Sequence, residues 1–241
     1  MVRGSMKVRS CCVASMICLA IASCPVCGAW AAKSLTIAAF GGYQTYDMAD
    51  VNEAMQSTLS SYPGSRADKK EIESGAGFGG GIRIWTSERV FVSLDFQRLL
   101  ASNSGSGPYA GSTYTVDLNV PASSVVGGVG YVLLDRRPLR FALTGGGGYY
   151  LTTGEIVTRG PGANDRSNLE GSGFGFHGMG LILAPVTRGL DVELAGGYRY
   201  AKTTDVTRGG YRVRNADGSL AQIDWSGFTG RAGLSVRVRG E

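Results

Sequence analysis

Apolar residues alternate with small or polar ones, at a period of two, through eight separate runs of this chain, and that alternation constrains its fold more than any other feature. Leu139, Phe141, Leu143, Gly145, Gly147, Tyr149 and Leu151 share one face of an extended segment, while Arg140, Ala142, Thr144, Gly146, Gly148, Tyr150 and Thr152 share the other. Leu190, Val192, Leu194, Tyr198 and Tyr200 alternate with Asp191, Glu193, Ala195, Gly197 and Arg199 in the same way. Phe228, Ala232, Leu234, Val236 and Val238 alternate with Thr229, Arg231, Gly233, Ser235 and Arg237. Ile82 and Ile84 flank Arg83, and Val90, Val92, Leu94 and Phe96 oppose Ser93, Asp95 and Gln97. A helix, with its period of about 3.6 residues, cannot hold such a pattern on one side, so the chain reads as all-β. No stretch beyond residue 31 is long and apolar enough for a transmembrane helix.

The runs cover residues 34–46, 75–86, 89–100, 112–134, 139–157, 171–184, 190–205 and 223–239. Connections at 87–88, 135–138 and 185–189 are short, whereas those at 47–74, 101–111, 158–170 and 206–224 are long and polar. This parity predicts a closed eight-stranded antiparallel up-and-down transmembrane β-barrel, its long connections gathered at one end. The fourth run is too long for one crossing. Its apolar set shifts from Val116, Leu118 and Val120 to Val125, Val129, Tyr131 and Leu133, so a break is expected near Pro121, with the first half in an external hairpin. In the first long connection Met48, Val51, Met55 and Leu59 recur at helical spacing. They predict a short helix, capped by Asp47 or Asp50, over the barrel mouth or along the lipid interface; a solvated loop is the alternative.

Arg3, Lys7 and Arg9, the apolar stretch 10–23 and the small-x-small site Ala29-Trp30-Ala31 predict a cleaved export signal over residues 1–31. Residues 32–241 then form a single barrel domain. Ile21-Ala22-Ser23-Cys24 offers a second processing site of lipobox form, which would leave a lipid-modified Cys24. All five cysteines lie within the signal, so the mature chain is expected to carry no disulfide and no thiolate chemistry. Signal removal takes three of the 24 Lys and Arg and none of the 19 Asp and Glu, and the net charge falls from +5 to +2. The basic balance is thus no nucleic-acid footprint, and no nucleic-acid partner is expected.

With the apolar faces turned to lipid, the polar faces line the lumen and bring together Arg83, Asp95, Arg140, Asp191, Glu193, Arg199, Arg231 and Arg237 as a polar network whose charges must pair. A soluble periplasmic ligand-binding barrel with an apolar interior has the same period. Export, loop parity and aromatic residues near strand ends favour the membrane: Tyr43, Tyr149, Tyr198, Tyr200 and Trp225 at the external side, Tyr131 and Phe141 at the other. Eight strands leave a lumen that side chains can fill as a plug, with a narrow polar pore as the functional alternative. A lipid-A-modifying enzyme is the rival class. His177, the single histidine, has no serine or acidic residue at the spacing such chemistry needs, so no catalytic site is expected. Residues 173–178 fit G-x-G-x-x-G by letter, but residues 179–186 read as strand rather than helix, and neither cofactor nor metal is expected. Arg66, Lys69, Lys70, Arg159, Arg166, Arg208, Arg212 and Arg214 in the loops could meet lipopolysaccharide phosphates, in a field diluted by Asp68, Glu71, Asp165 and Asp217.

The segments SLTIAAFGGYQTY and RFALTGGGGYYL, together with the loop parity, resemble the small eight-stranded outer-membrane proteins, the group that includes the OmpA transmembrane domain, OmpX and OmpW. The resemblance implies an integral protein of the bacterial outer membrane, folded by the barrel-assembly machinery among outer-membrane lipid and lipopolysaccharide. The roles it implies are structural anchoring, surface interaction, or porin-like passage and uptake of small hydrophobic solutes. Many members end in an aromatic residue, whereas this chain ends Val238-Arg239-Gly240-Glu241.

Overall fold

The computed structural model describes residues 34–60, 71–109, 112–136, 138–160, 163–215 and 217–238. The expected export signal, with its lipobox cysteine, lies outside them. In chain order the elements are β1 (Ser34–Thr45), α1 (Ala49–Ser60), β2 (Ser74–Trp85), β3 (Val90–Leu99), β4 (Ser102–Tyr109), β5 (Ser112–Asn119) and β6 (Ala122–Arg136). There follow β7 (Leu139–Gly160), β8 (Ala163–Thr187), β9 (Leu190–Thr203), β10 (Thr207–Arg208), β11 (Tyr211–Arg212), β12 (Ile223–Asp224) and β13 (Gly227–Val238). Among the described residues no helix is long and apolar enough to cross a membrane.

Eight strands pair antiparallel in a ring. β1 joins β2, β2 joins β3, β3 joins β6, β6 joins β7, β7 joins β8, β8 joins β9, β9 joins β13, and β13 returns to β1. Ring pairing satisfies the backbone groups that an open sheet would leave at its edges. The side-chain period then sorts residues into two environments. Ile37, Ile82, Val92, Val129, Leu143, Leu194 and Leu234 point out and stay exposed, while Thr36, Arg83, Asp95, Tyr150, Glu193 and Arg199 point in and are buried. The ring is therefore apolar outside and polar through much of its interior, the reverse of a soluble barrel.

Most strand ends fall within a few residues of the sequence reading, though β8 begins at Ala163 rather than residue 171, and β5 and β6 part at Val120–Pro121, where the break is expected. Proline there donates no hydrogen bond, and its carbonyl accepts from the Thr153 amide at 3.1 Å. β5 turns away to pair with β4 and with the far end of β7, outside the ring. Two connections read as loops are largely strand, and a third holds three short strands. Residues 101–111 contain β4, residues 158–170 continue β7 and β8 as one long hairpin, and residues 206–224 contain β10, β11 and β12. Their Ser, Gly, Asn and Thr content mimics loop composition, because strands beyond the ring need no apolar outer face and are held by neighbouring backbone instead. One aromatic also departs from its expected place at the external rim. Trp225 is fully buried inside, because the short turn between β12 and β13 folds it inward against Tyr46 at a ring separation of 5.1 Å.

Inward glycines make room for the large residues of neighbouring strands. At Gly130 an added Cβ would strike the Phe91 ring, which is 0 % exposed, whereas at outward Gly178 it would meet open space. Gly130→Val should lower stability in urea unfolding by about 1–3 kcal/mol, while Gly178→Val should stay within about 0.5 kcal/mol of the parent. Equal effects at the two sites would refute this account of the glycines.

Candidate functional site

Alternation delivers one inward side chain per two residues, and in this ring those positions carry opposite charges from facing strands. Arg83 on β2 meets Glu193 on β9 in a fork-to-fork pair, Nη1 donating to Oε1 and Nη2 to Oε2 at 2.8 Å, with both side chains at most 4 % exposed. Arg231 on β13 donates from both Nη atoms to Asp95 Oδ2 on β3 at 3.2 Å and lies over the Phe40 ring, 4.1 Å from its centroid. Arg237 faces Asp191 at 3.5 Å. Arg140 does not join these pairs. It bonds Asp135 at 3.0 Å, half exposed at the short-turn end, because β7 has only just begun there.

Arg199 differs from the rest. It is 2 % exposed, and its Nε donates to the Trp225 carbonyl at 2.8 Å, while Nη1 donates to Gln44 Oε1. Its acceptors are amides rather than carboxylates. Two apolar clusters bracket the charges. Trp85, Phe91, Val132, Ala142, Leu181 and Leu183 fill the short-turn end. At the other end a larger cluster runs from Val126 and Tyr150 through Trp225 to the residues beneath α1. Between them, Asp95, Gln97, Tyr150, His177, Met179, Arg199 and Arg231 surround a cavity of about 10 Å³, room for about one water.

The helix predicted from Met48, Val51, Met55 and Leu59 spans Ala49–Ser60 and lies over the mouth of the ring. Met48, Met55 and Leu59 are buried to 7 % exposure or less, and Val51 packs half-buried beside them. Burial of each large side chain contributes about 1.5–3 kcal/mol. Polar ties fix the docking. Asn52 exchanges two hydrogen bonds with the Ile72 backbone at 2.9 and 3.3 Å, and the Leu59 carbonyl accepts from the Tyr114 hydroxyl at 3.1 Å. Asp50, read as a cap, instead accepts from Asn215 Nδ2 at 3.0 Å and from the Gln222 amide at 2.9 Å, joining the helix to the last connection. Beneath this lid the Tyr46 hydroxyl is pushed up to about 12, chiefly by burial and against the opposing field of Arg199, so it stays a neutral phenol.

One flank of α1 leaves an apolar cleft of about 110 Å³, walled by Val51, Met55, Val116, Leu118, Ile156, Leu169, Val206 and Val213, with Asp50, Thr58, Arg208 and Gln222 among its polar lining. Sequence reading missed it because its walls come from the helix, β5, β7, β8 and the last connection, and no single run reveals their meeting. His177 faces the lumen on β8, directly opposite Arg199 in register, and is not presented to the outer surface. Residues 173–178 are strand throughout. Four external arginines have carboxylate partners: Arg159 with Asp117 at 2.6 Å, Arg166 with Glu155, Arg208 with Asp165 at 3.4 Å, and Arg212 with Asp205 at 3.5 Å. Arg214 donates to the Gly218 carbonyl at 2.6 Å. Arg66, Lys69 and Lys70 lie outside the described residues.

No protein-family model matches the chain, and no curated protein matches it. Among solved structures it resembles, in architecture, small outer-membrane β-barrel proteins. Ail, the attachment invasion locus protein of Yersinia pestis, is 13 % identical with a TM-score of 0.47, over 86 % of this chain and 99 % of that one. A major outer membrane protein of Thermus thermophilus is 12 % identical with a TM-score of 0.47, over 85 % and 99 %. OprG of Pseudomonas aeruginosa is 12 % identical with a TM-score of 0.42, over 86 % and 98 %.

Arg83→Met alone strands the Glu193 carboxylate and should cost about 3–5 kcal/mol in urea unfolding, while Arg83→Met with Glu193→Leu should recover most of that loss. A double variant no better than the single would show that the pair is not the source of the cost.

Proposed function

We propose that the chain is an integral outer-membrane protein, a closed eight-stranded up-and-down transmembrane barrel whose lumen is plugged and whose work is done at its helix-capped external end. The observation that carries this reading is the inverted polarity of the ring, with Ile, Leu and Val turned out and Arg–Glu and Arg–Asp pairs within. Water would penalise that exterior, whereas acyl chains match it. Aromatic pairs at the external rim, Tyr149 with Phe174 and Tyr198 with Phe228 at 5.1 and 5.3 Å, suit the headgroup level. The signal over residues 1–31 accounts for export. The role is non-enzymatic, since the single histidine faces into the lumen rather than toward a lipid substrate. Among the described residues the loop arginines Arg159, Arg166, Arg208 and Arg212 are held by carboxylates, so lipopolysaccharide is read as surrounding medium rather than as a ligand they grip.

The cleft beside α1 gives the external end a specific task, to hold a small, largely apolar molecule of about the bulk of one aromatic ring. An apolar cavity of comparable size takes up benzene. With fluorobenzene as probe, fluorine NMR should show line broadening in the presence of the detergent-solubilised protein and none with Ile156→Trp, which fills the cleft. Equal broadening by both proteins would remove the ligand from the proposal and leave the barrel intact.

The membrane reading stands on separate measurements. The protein should stay with the membrane pellet after carbonate washing, and it should migrate faster on gels unheated than boiled. In planar bilayers it should give no steady unitary conductance. Signal-free protein that remains monodisperse without detergent would overturn the membrane assignment, and steady conductance would overturn the plug.

A further inference from the structure

We infer that the lumen contains a binding site for one small monovalent anion, of the halide class, beside the guanidinium of Arg199. Among the described residues every other inward arginine has a carboxylate: Arg83 has Glu193, Arg231 has Asp95, Arg237 has Asp191 and Arg140 has Asp135. Arg199 has amide oxygens on two of its nitrogens, and its Nη2 is buried with no hydrogen-bond partner among the described residues. A full charge out of water, hydrogen-bonded among the described residues only to amide oxygens and facing the Tyr46 ring at 5.7 Å, is expensive.

Among the described residues, the cavity lining sets two arginines, Arg199 and Arg231, against one carboxylate, Asp95, which Arg231 already holds. Tyr46 remains a neutral phenol, and Asp224 is taken by Lys202 at 2.8 Å. What the structure does offer is space. Arg199 lines the cavity of about 10 Å³ together with Arg231 and His177, the latter directly across the β8–β9 ladder. That volume admits about one water-sized species, which restricts the ligand to a single small ion and excludes carboxylates and phosphates. Asp95 also lines the cavity, with Oδ2 held by Arg231 and Oδ1 unpartnered among the described residues. A water bridging that oxygen to Arg199 is the competing occupant. It would satisfy the donor but leave the lining with two guanidinium charges against one carboxylate.

The test uses the full mature protein in detergent. At constant ionic strength, replacing gluconate, which is too large for the cavity, with chloride at about five times its Kd should raise the unfolding midpoint by roughly 2–4 °C. Crystals grown in bromide should show an anomalous peak within hydrogen-bond distance of Arg199 Nη2. Gln44→Glu replaces an acceptor of Arg199 with an isosteric carboxylate, so this variant should fold and lose the chloride dependence. Identical melting of the parent in both salts would overturn the proposal, as would a chloride response retained by Gln44→Glu or a site that refines as water in bromide.

Discussion

Charge pairing across the lumen is the interaction on which the rest of this structure depends. Arg83 and Glu193 come from strands distant in sequence and meet with almost no exposure to solvent. Neither ion could stand there alone, since the effective penalty for burying one runs to several kcal/mol. The pairing lets the inward face be polar, and a polar inward face frees the outward face to be apolar on every strand of the ring. The same requirement explains why so much of the interior is small: a bulky arginine or phenylalanine on one strand takes the space in front of the next, as Phe91 does at Gly130.

The interior is not uniformly polar, however. Apolar clusters close both ends of the charged zone, one near the short turns and one under α1. They lower the local dielectric, which strengthens each ion pair and raises the cost of any group left unpaired. Arg199 sits where these effects meet, next to the aromatic floor formed by Tyr46 and Trp225. The helix lid also belongs to this arrangement. Its Met48, Met55 and Leu59 side chains complete the upper cluster, while the Asn52 and Asp50 side chains accept from the backbone amides of Ile72, just before β2, and of Gln222 in the last connection.

Much of the ring was legible in the sequence because period two is a local property. Each run declares its own faces, and the Leu139–Leu151 series does so without any knowledge of partners. The α1 face was legible for a similar reason, since Met48, Val51, Met55 and Leu59 lie within three turns. Properties that arise between runs were not. That Arg140 would turn to Asp135, that Trp225 would fold inward, and that Gln44 would serve Arg199 depend on register and turn geometry. The cleft beside α1 belongs to this second class. So does the external hairpin of β7 and β8, whose polar composition conceals its extended backbone.

That hairpin has an evolutionary corollary. β7 and β8, of 22 and 25 residues, run unbroken from near the short turn through the ring and into the cap, in continuous register from Arg140 opposite Leu183 to Gly160 opposite Ala163. The cap is thus a continuation of the wall rather than an appendage hung on loops. A lineage could lengthen or shorten it only by matched pairs of residues, because an odd insertion within either strand would reverse every side chain beyond it. Variation in this protein's surface should therefore accumulate in the tips and at the helix, while the shafts that carry them drift slowly.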